Sequence, residues 1–263
     1  SALQAGITSM GGAPYLVGVL PTPGIAFVTE SMRADAGIVV SASHNPFQDN
    51  GIKIFSGNGY KLSDDQEERI EALILGGELA KKVPPPREMG RAYRLSDVHG
   101  RYIVFLKSSF PRDLSMEGLK IAMDVANGAA YSVAPEAFTE LGAELTVIHG
   151  APDGLNINDR CGSQHTEDLR RCVLETGAAL GVAFDGDGDR VILVDERGRE
   201  ITGDQIMLIC AMMLQQQGRL AHDLLVSTVM SNLGLTLACK RYGITNHAAK
   251  VGDAQPGFLQ RLA

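Results

Sequence analysis

The sequence predicts an α/β protein with mostly parallel sheets, and three observations carry that reading. Short apolar runs alternate with stretches of helical period along the whole chain. The apolar runs end in turn chemistry, as buried strands of a parallel sheet do. The alternation restarts after Pro84-Pro85-Pro86, a stretch that can neither continue a helix nor centre a sheet.

Taken in order, the opening SALQAGITSMGG reads as the middle of a helix that has lost its start. Residues 15–20 and 37–41 read as strands buried on both faces, with a helix over 23–31 between them. Residues 51–55 alternate like a strand. Residues 64–75 have a helical apolar period, with Ser63 as N-cap and Gly76-Gly77 as the stop. Beyond the prolines, helices are expected over 101–110, 131–141 and 167–175, and strands over 119–125, 144–148, 179–184 and 191–194. A long apolar helix over 204–217 follows, then a strand over 224–228 and a helix over 233–242.

A chain of 263 residues suits two domains, or one domain and two halves, and 44% hydrophobic content is enough to build cores. The net charge of -7 argues against a nucleic-acid partner, while leaving anionic small molecules open, since a site needs only local cations. Cys161, Cys172, Cys210 and Cys239 form no C-x-x-C pair and match no zinc spacing, so free thiols in a reducing cytoplasm are expected. No run reaches the ~18 apolar residues of a membrane helix, and no signal peptide opens the chain.

The sharpest local signal is Asp185-Gly186-Asp187-Gly188-Asp189-Arg190, directly after an apolar strand. The glycines let the backbone fold tightly, so carboxylates two residues apart can converge. Carboxylates packed together repel one another unless a cation neutralises them. Hard oxygen ligands suit magnesium or calcium rather than zinc. A solvated acidic turn is the bland alternative. A calcium loop of EF-hand type is another, with Glu196 at its twelfth position. Against it, the sixth position is Arg190 rather than glycine, and the next run, 191–194, reads as a strand.

The second signal is Ser41-Ala42-Ser43-His44-Asn45-Pro46, at the end of a strand, where open α/β sheets place their sites. The G-x-S-x-G elbow of a hydrolase is absent, so a Ser-His-Asp triad has little support. Lys53 sits ten residues on, in a strand that could return beside the loop as a phosphate clamp or a base. Asn45 can orient a hydroxyl, and His44 can donate to an anion or shuttle a proton. Spacing alone leaves a polar turn and a catalytic serine equally open.

At these residues the sequence resembles the α-D-phosphohexomutase family. SASHNP followed by DNGIK is similar to its active-serine loop, DGDGDR to its metal loop, and Lys250-Val251-Gly252-Asp253 to the start of its third-domain loop. Within the family the wording is most similar to the bacterial phosphoglucosamine mutases, through SASHNPFQDNGIK, DGDGDRVILVDERG, TGDQIM and VMSNLGL. The resemblance implies successive three-layer α/β domains with mixed sheets, set here at 1–98, 99–219 and 220–263. It implies an isomerase that interconverts glucosamine 6-phosphate and glucosamine 1-phosphate through a bisphosphate. Ser43 would be carried as phosphoserine, and Mg2+ would be held by Asp185, Asp187, Asp189 and the oxygen on Ser43. Lys53 would act as general base or acid, Arg190 and Lys250 would hold phosphate, and His44 and Asn45 would shape the serine site.

Departures from the pattern matter as well. The family's N-terminal arginine loop, its Glu-x-Ser-Gly-His sugar loop and its fourth-domain phosphate loop are not found. After Asp253 the sequence runs Ala254-Gln255-Pro256-Gly257 instead of the family's Arg-Tyr-Val. The chain is therefore expected to lack both ends of the family pattern, and binding of metal without turnover is an open alternative. So are a phosphomannomutase or phosphoglucomutase, and a non-catalytic calcium-binding module. The expected partner is a small sugar phosphate, with neither nucleic acid nor membrane. Monomer and homodimer both remain open.

Overall fold

The computed structural model describes residues 1–77 and 84–251. The Gly252-Asp253 end of the third-domain loop and the divergent residues after it lie outside the described residues. Eight helices and eleven strands are assigned among the described residues. They fall into three groups, each with its own sheet or sheets.

The first group contains α1 (Ala2–Ser9), β1 (Tyr15–Leu16), α2 (Thr22–Ser31), β2 (Ala36–Ser41), β3 (Gly51–Ser56), α3 (Asp64–Leu75) and β4 (Tyr93–Arg94). Helix α3 starts as read, on a capping box in which Ser63 and Gln66 satisfy each other's backbone N–H groups. Strand β1 is shorter than the 15–20 run. Gly18 takes φ +78°, which bends the chain out of the sheet before Pro21 opens α2. β2 and β3 pair antiparallel, with Val39 opposite Lys53, while β1 pairs in parallel with β4. The expectation of strands buried on both faces is corrected here. A groove of about 880 Å³ separates β1 from β2. Val40 on that side remains 59% exposed.

The second group begins with α4 (Val98–Ser108) and continues through β5 (Lys120–Asp124), α5 (Val133–Glu140), β6 (Glu144–Ile148), α6 (Glu167–Thr176), β7 (Leu180–Phe184), β8 (Val191–Asp195) and β9 (Glu200–Ile201). Its sheet runs β6-β5-β7-β8-β9. The β6, β5 and β7 strands are parallel, and β8 and β9 return antiparallel. The third group holds α7 (Gly203–Gln216), β10 (Leu224–Thr228), α8 (Leu233–Arg241) and β11 (Thr245–Ala249), with β10 and β11 parallel. Helix α7 contributes Ala211 to the small core of this third group, beside Leu235, Cys239 and Ile244. The fold is thus α/β with mixed, mostly parallel sheets, as read.

One core joins the first two groups. Leu20, Ile25 and Val28 pack with Val98 and Ile103 of α4 and with Val133 of α5. Phe27 stacks on Phe105 at 4.2 Å between ring centroids. This shared core fixes the end of β2 against the end of β7, which is where the two sequence signals meet.

Candidate active site

The aspartate loop is the hairpin between antiparallel β7 and β8. Gly188 takes φ +69° at its turn, a conformation that suits glycine. Asp185 Oδ1 accepts the backbone N–H groups of Asp189 and Arg190, both at 3.1 Å. These bonds fold the hairpin back on itself. As a result one carboxylate oxygen from each of Asp185, Asp187 and Asp189 lies within 4.8 Å of the others. Asp185 and Asp187 have side chains 1% exposed, and Asp189 is 35% exposed. A strand on each side, with no helix, removes the EF-hand reading, and Glu196 is not among the gathered carboxylates.

Ser43 follows β2 and takes φ +55°, a strained value for a residue with a Cβ. Its N–H donates to Ser41 Oγ at 2.9 Å. Its hydroxyl donates to Asp187 Oδ1 at 3.1 Å, across 144 positions of sequence. The other oxygen of Asp187 accepts from Lys53 Nζ at 2.6 Å and from Thr22 Oγ1 at 2.9 Å. Lys53 also reaches Asp189 Oδ2 at 3.4 Å. Antiparallel β2–β3 pairing brings Lys53 back to the serine, as the spacing suggested.

His44 and Arg190 meet on the open side of the loop. Arg190 donates its Nε to Asp185 Oδ2 at 3.1 Å and its Nη2 to His44 Nδ1. A guanidinium can only donate, so the Nδ1 lone pair is taken. That imidazole nitrogen cannot also draw a proton from Ser43, 3.5 Å away, which argues against a hydrolase triad. Asn45 is exposed and engages through its backbone, donating to Ala42 O at 2.9 Å. Lys250 follows β11 in the third group and is exposed. Among the described residues no hydrogen bond or ion pair joins it to the cluster.

Two further residues of the site had no motif to announce them. Thr22 grips Asp187 twice, through its hydroxyl and through its N–H on Asp187 O at 2.8 Å. Asn158 donates its side-chain amide to Ser43 O and Asn45 O, both at 2.8 Å. The only sequence cue for Thr22 was its place after a proline at the start of a helix. Asn158 lies in a long polar loop with no cue at all.

Charge in the cluster is held in tension. Burial pushes the Asp185 carboxyl up to about 6. Backbone N–H donation at Arg190 opposes this, while the charges of Asp189 and Asp187 add to it. Burial also raises Asp187, but the Lys53 and Thr22 hydrogen bonds outweigh it and hold that carboxyl low. Lys53 is lowered by burial but raised more by Asp187 and Asp189, so it stays an ammonium. Three carboxylates and a hydroxyl form an all-oxygen donor set, which fits a hard divalent cation.

A second group of metal-binding residue types is Asp124, His149 and Cys161. The carboxylate of Asp124 is already engaged by Ala126 N, Gly162 N and His149 Nδ1, each at 2.9 Å. Burial, with nearby aspartates, pushes the Cys161 thiol up to about 12. This group ties the loops beyond β5 together and leaves a cation little to bind.

Family models for the three α/β/α domains of phosphoglucomutase/phosphomannomutase match residues 1–81, 100–198 and 202–255. The chain belongs to this family. It is 76% identical, over 96% of its length, to a phosphoglucosamine mutase of Syntrophobacter fumaroxidans, of which it covers 56%. The chain therefore spans about half the length of the curated relatives it matches. Among solved structures, a phosphoglucomutase/phosphomannomutase family protein from Burkholderia thailandensis aligns with TM-score 0.81 and 26% identity, over 99% of this chain and 57% of that one. An N-acetylphosphoglucosamine mutase of Aspergillus fumigatus, solved in complex with GlcNAc-6P and magnesium, shares the fold with TM-score 0.58 and 18% identity, over 95% of this chain and 60% of that one. Among the described residues no helix is long and apolar enough to cross a membrane.

Proposed function

We propose that the chain is the serine- and metal-bearing part of an enzyme that interconverts glucosamine 6-phosphate and glucosamine 1-phosphate. The observation that carries this is the Ser43 hydroxyl seated on Asp187, at 3.1 Å, inside a buried oxygen-rich cluster. Neither His44, engaged by Arg190, nor Lys53, an ammonium, is free to draw the Ser43 proton as a hydrolase base would. This supports a serine that exchanges a phosphoryl group with a sugar rather than one that carries an acyl group. The identity to the Syntrophobacter protein supports glucosamine phosphates as substrates.

In this reading Asp185, Asp187, Asp189 and the oxygen on Ser43 hold Mg2+. Bound there, the cation would neutralise charge on the phosphoryl group in transfer. Thr22 fixes the Asp187 carboxylate so that it cannot turn away from Ser43. Lys53, once its amine is free, takes the proton of the sugar hydroxyl that accepts the phosphoryl group, and its ammonium returns that proton to the sugar oxygen that gives the other phosphate up. Arg190 steadies Asp185 and His44 and offers its free N–H groups to phosphate, and Lys250 contacts phosphate from the third domain. His44 and Asn45 shape the serine loop. The phosphoryl group passes from Ser43 to the sugar, giving a bisphosphate, and the sugar's other phosphate returns to Ser43.

Three domains at 1–98, 99–219 and 220–263 complete the reading, but the packing of α7 on the third core favours a second boundary just before Gly203. Four free cysteines support a cytoplasmic setting. A coupled mutase assay with glucosamine 1-phosphate, run beside mannose 1-phosphate and glucose 1-phosphate, tests the proposal on the full-length protein. Preference for the amino sugar is expected. Turnover of only the neutral sugars would assign the chain to another branch of the family.

A further inference from the structure

We propose that Asn158 is a positioning residue for the phosphoryl-carrying serine, an inference that rests on the function proposed above. Ser43 sits at φ +55°, where a side chain costs free energy, so something must hold the loop. The left-handed turn leaves the carbonyls of Ser43 and Asn45 on one side. Both accept from the single Nδ2 of Asn158, at 2.8 Å each. Only a primary amide on a short stem offers two N–H groups from one atom in that space. Aspartate would set an oxygen against two carbonyl oxygens.

The clamp is itself anchored. Asn158 takes φ +57°, which asparagine tolerates, and its own N–H donates to Ala126 O at 3.0 Å. Ala126 is held in turn by its N–H on Asp124 Oδ1, at 2.9 Å, at the end of β5. Gly186 closes the other side. A Cβ there would lie 2.4 Å from Ser43 O and 2.7 Å from Asn158 Nδ2. The serine loop, the aspartate hairpin and the sheet of the second group are thus locked at one amide. Rotation of the Ser43 backbone would swing Oγ away from Asp187. Displacements near 1 Å cost on the order of 10²-fold in rate.

The test uses the full-length protein with Asn158→Asp, which keeps the shape, and Asn158→Gly, which keeps the φ angle. Transfer of phosphate to Ser43 from glucosamine 1,6-bisphosphate, with magnesium present, is followed by intact mass. Both variants are expected to load about 10–100-fold more slowly, with the KM for glucosamine 6-phosphate near that of the parent. The side-chain amide protons of Asn158 in the parent are expected to shift when Ser43 is phosphorylated, a readout that needs no variant to fold. Parent-like loading in a folded variant, or amide protons indifferent to phosphorylation, overturns the inference alone. A parent that never takes phosphate on Ser43 overturns the proposed function and this inference with it.

Discussion

Asp187 is the residue through which the two halves of the site meet. Its two oxygens receive Ser43, Lys53 and Thr22, from three different elements. Its neighbour Asp185 carries the opposite strain, with burial lifting the carboxyl from 3.8 to about 6. A carboxyl raised by folding adds stability below its unfolded pKa, and that share is lost as pH rises through the folded value. Asp187, held low, adds stability above the ordinary carboxylate range and does not oppose this window. Metal-free protein is therefore expected to melt several degrees lower at pH 7 than at pH 5, with Asp185→Asn shrinking the difference. Magnesium, which takes the ionised form, should restore the loss at pH 7 in a thermal melt with and without chelator. Thr22→Val should leave the fold intact but weaken magnesium binding by about 1.5–3 kcal/mol, the worth of one hydrogen bond to a charged group. Titration calorimetry checks it.

At the scale of elements, the hairpin between β7 and β8 and the turn after β2 are built to touch. Gly186 has no room for a side chain, since a Cβ would collide with backbone at Ser43. Gly186→Ala is expected to destabilise the protein by about 1–3 kcal/mol, from overpacking, and to slow loading of Ser43. Denaturant unfolding and intact mass read the two effects. Much of this architecture was legible in the sequence. The DGDGDR and SASHNP runs named their own loops, and 64–75 carried both helix signals at its ends. Local pattern failed where pairing is not local. β4 and β9 are two residues each and exist only through their partners. β11, TNHAA, has little apolar character and is a strand because β10 lies beside it. The apolar run 15–20 outlasts strand β1 because Gly18 fits an apolar pattern but turns the chain. Thr22 and Asn158 escaped for a related reason. Their partners lie 165 and 115 positions away, and no spacing rule reaches so far.

Across the whole molecule, the first two groups share a core and so hold the serine and the aspartates at fixed separation. Ile103 lies in that core, 2% exposed. Ile103→Ala is expected to cost about 2–5 kcal/mol and to lower the melting of both groups together. The third group has its own small core around Leu235 and Cys239. Hydrogen exchange should show it opening independently of the other two, with Ile103→Ala leaving its protection unchanged. In the function proposed above, the Ser43 hydroxyl, held on Asp187, carries the phosphoryl group. Tandem mass spectrometry of the full-length protein, after incubation with glucosamine 1,6-bisphosphate and magnesium, tests it most directly. The expected result is one phosphate, on Ser43, absent from Ser43→Ala and lost on addition of glucosamine 6-phosphate. Phosphate on another residue, or none at all in a protein that turns over substrate, would rule out Ser43 as the carrier.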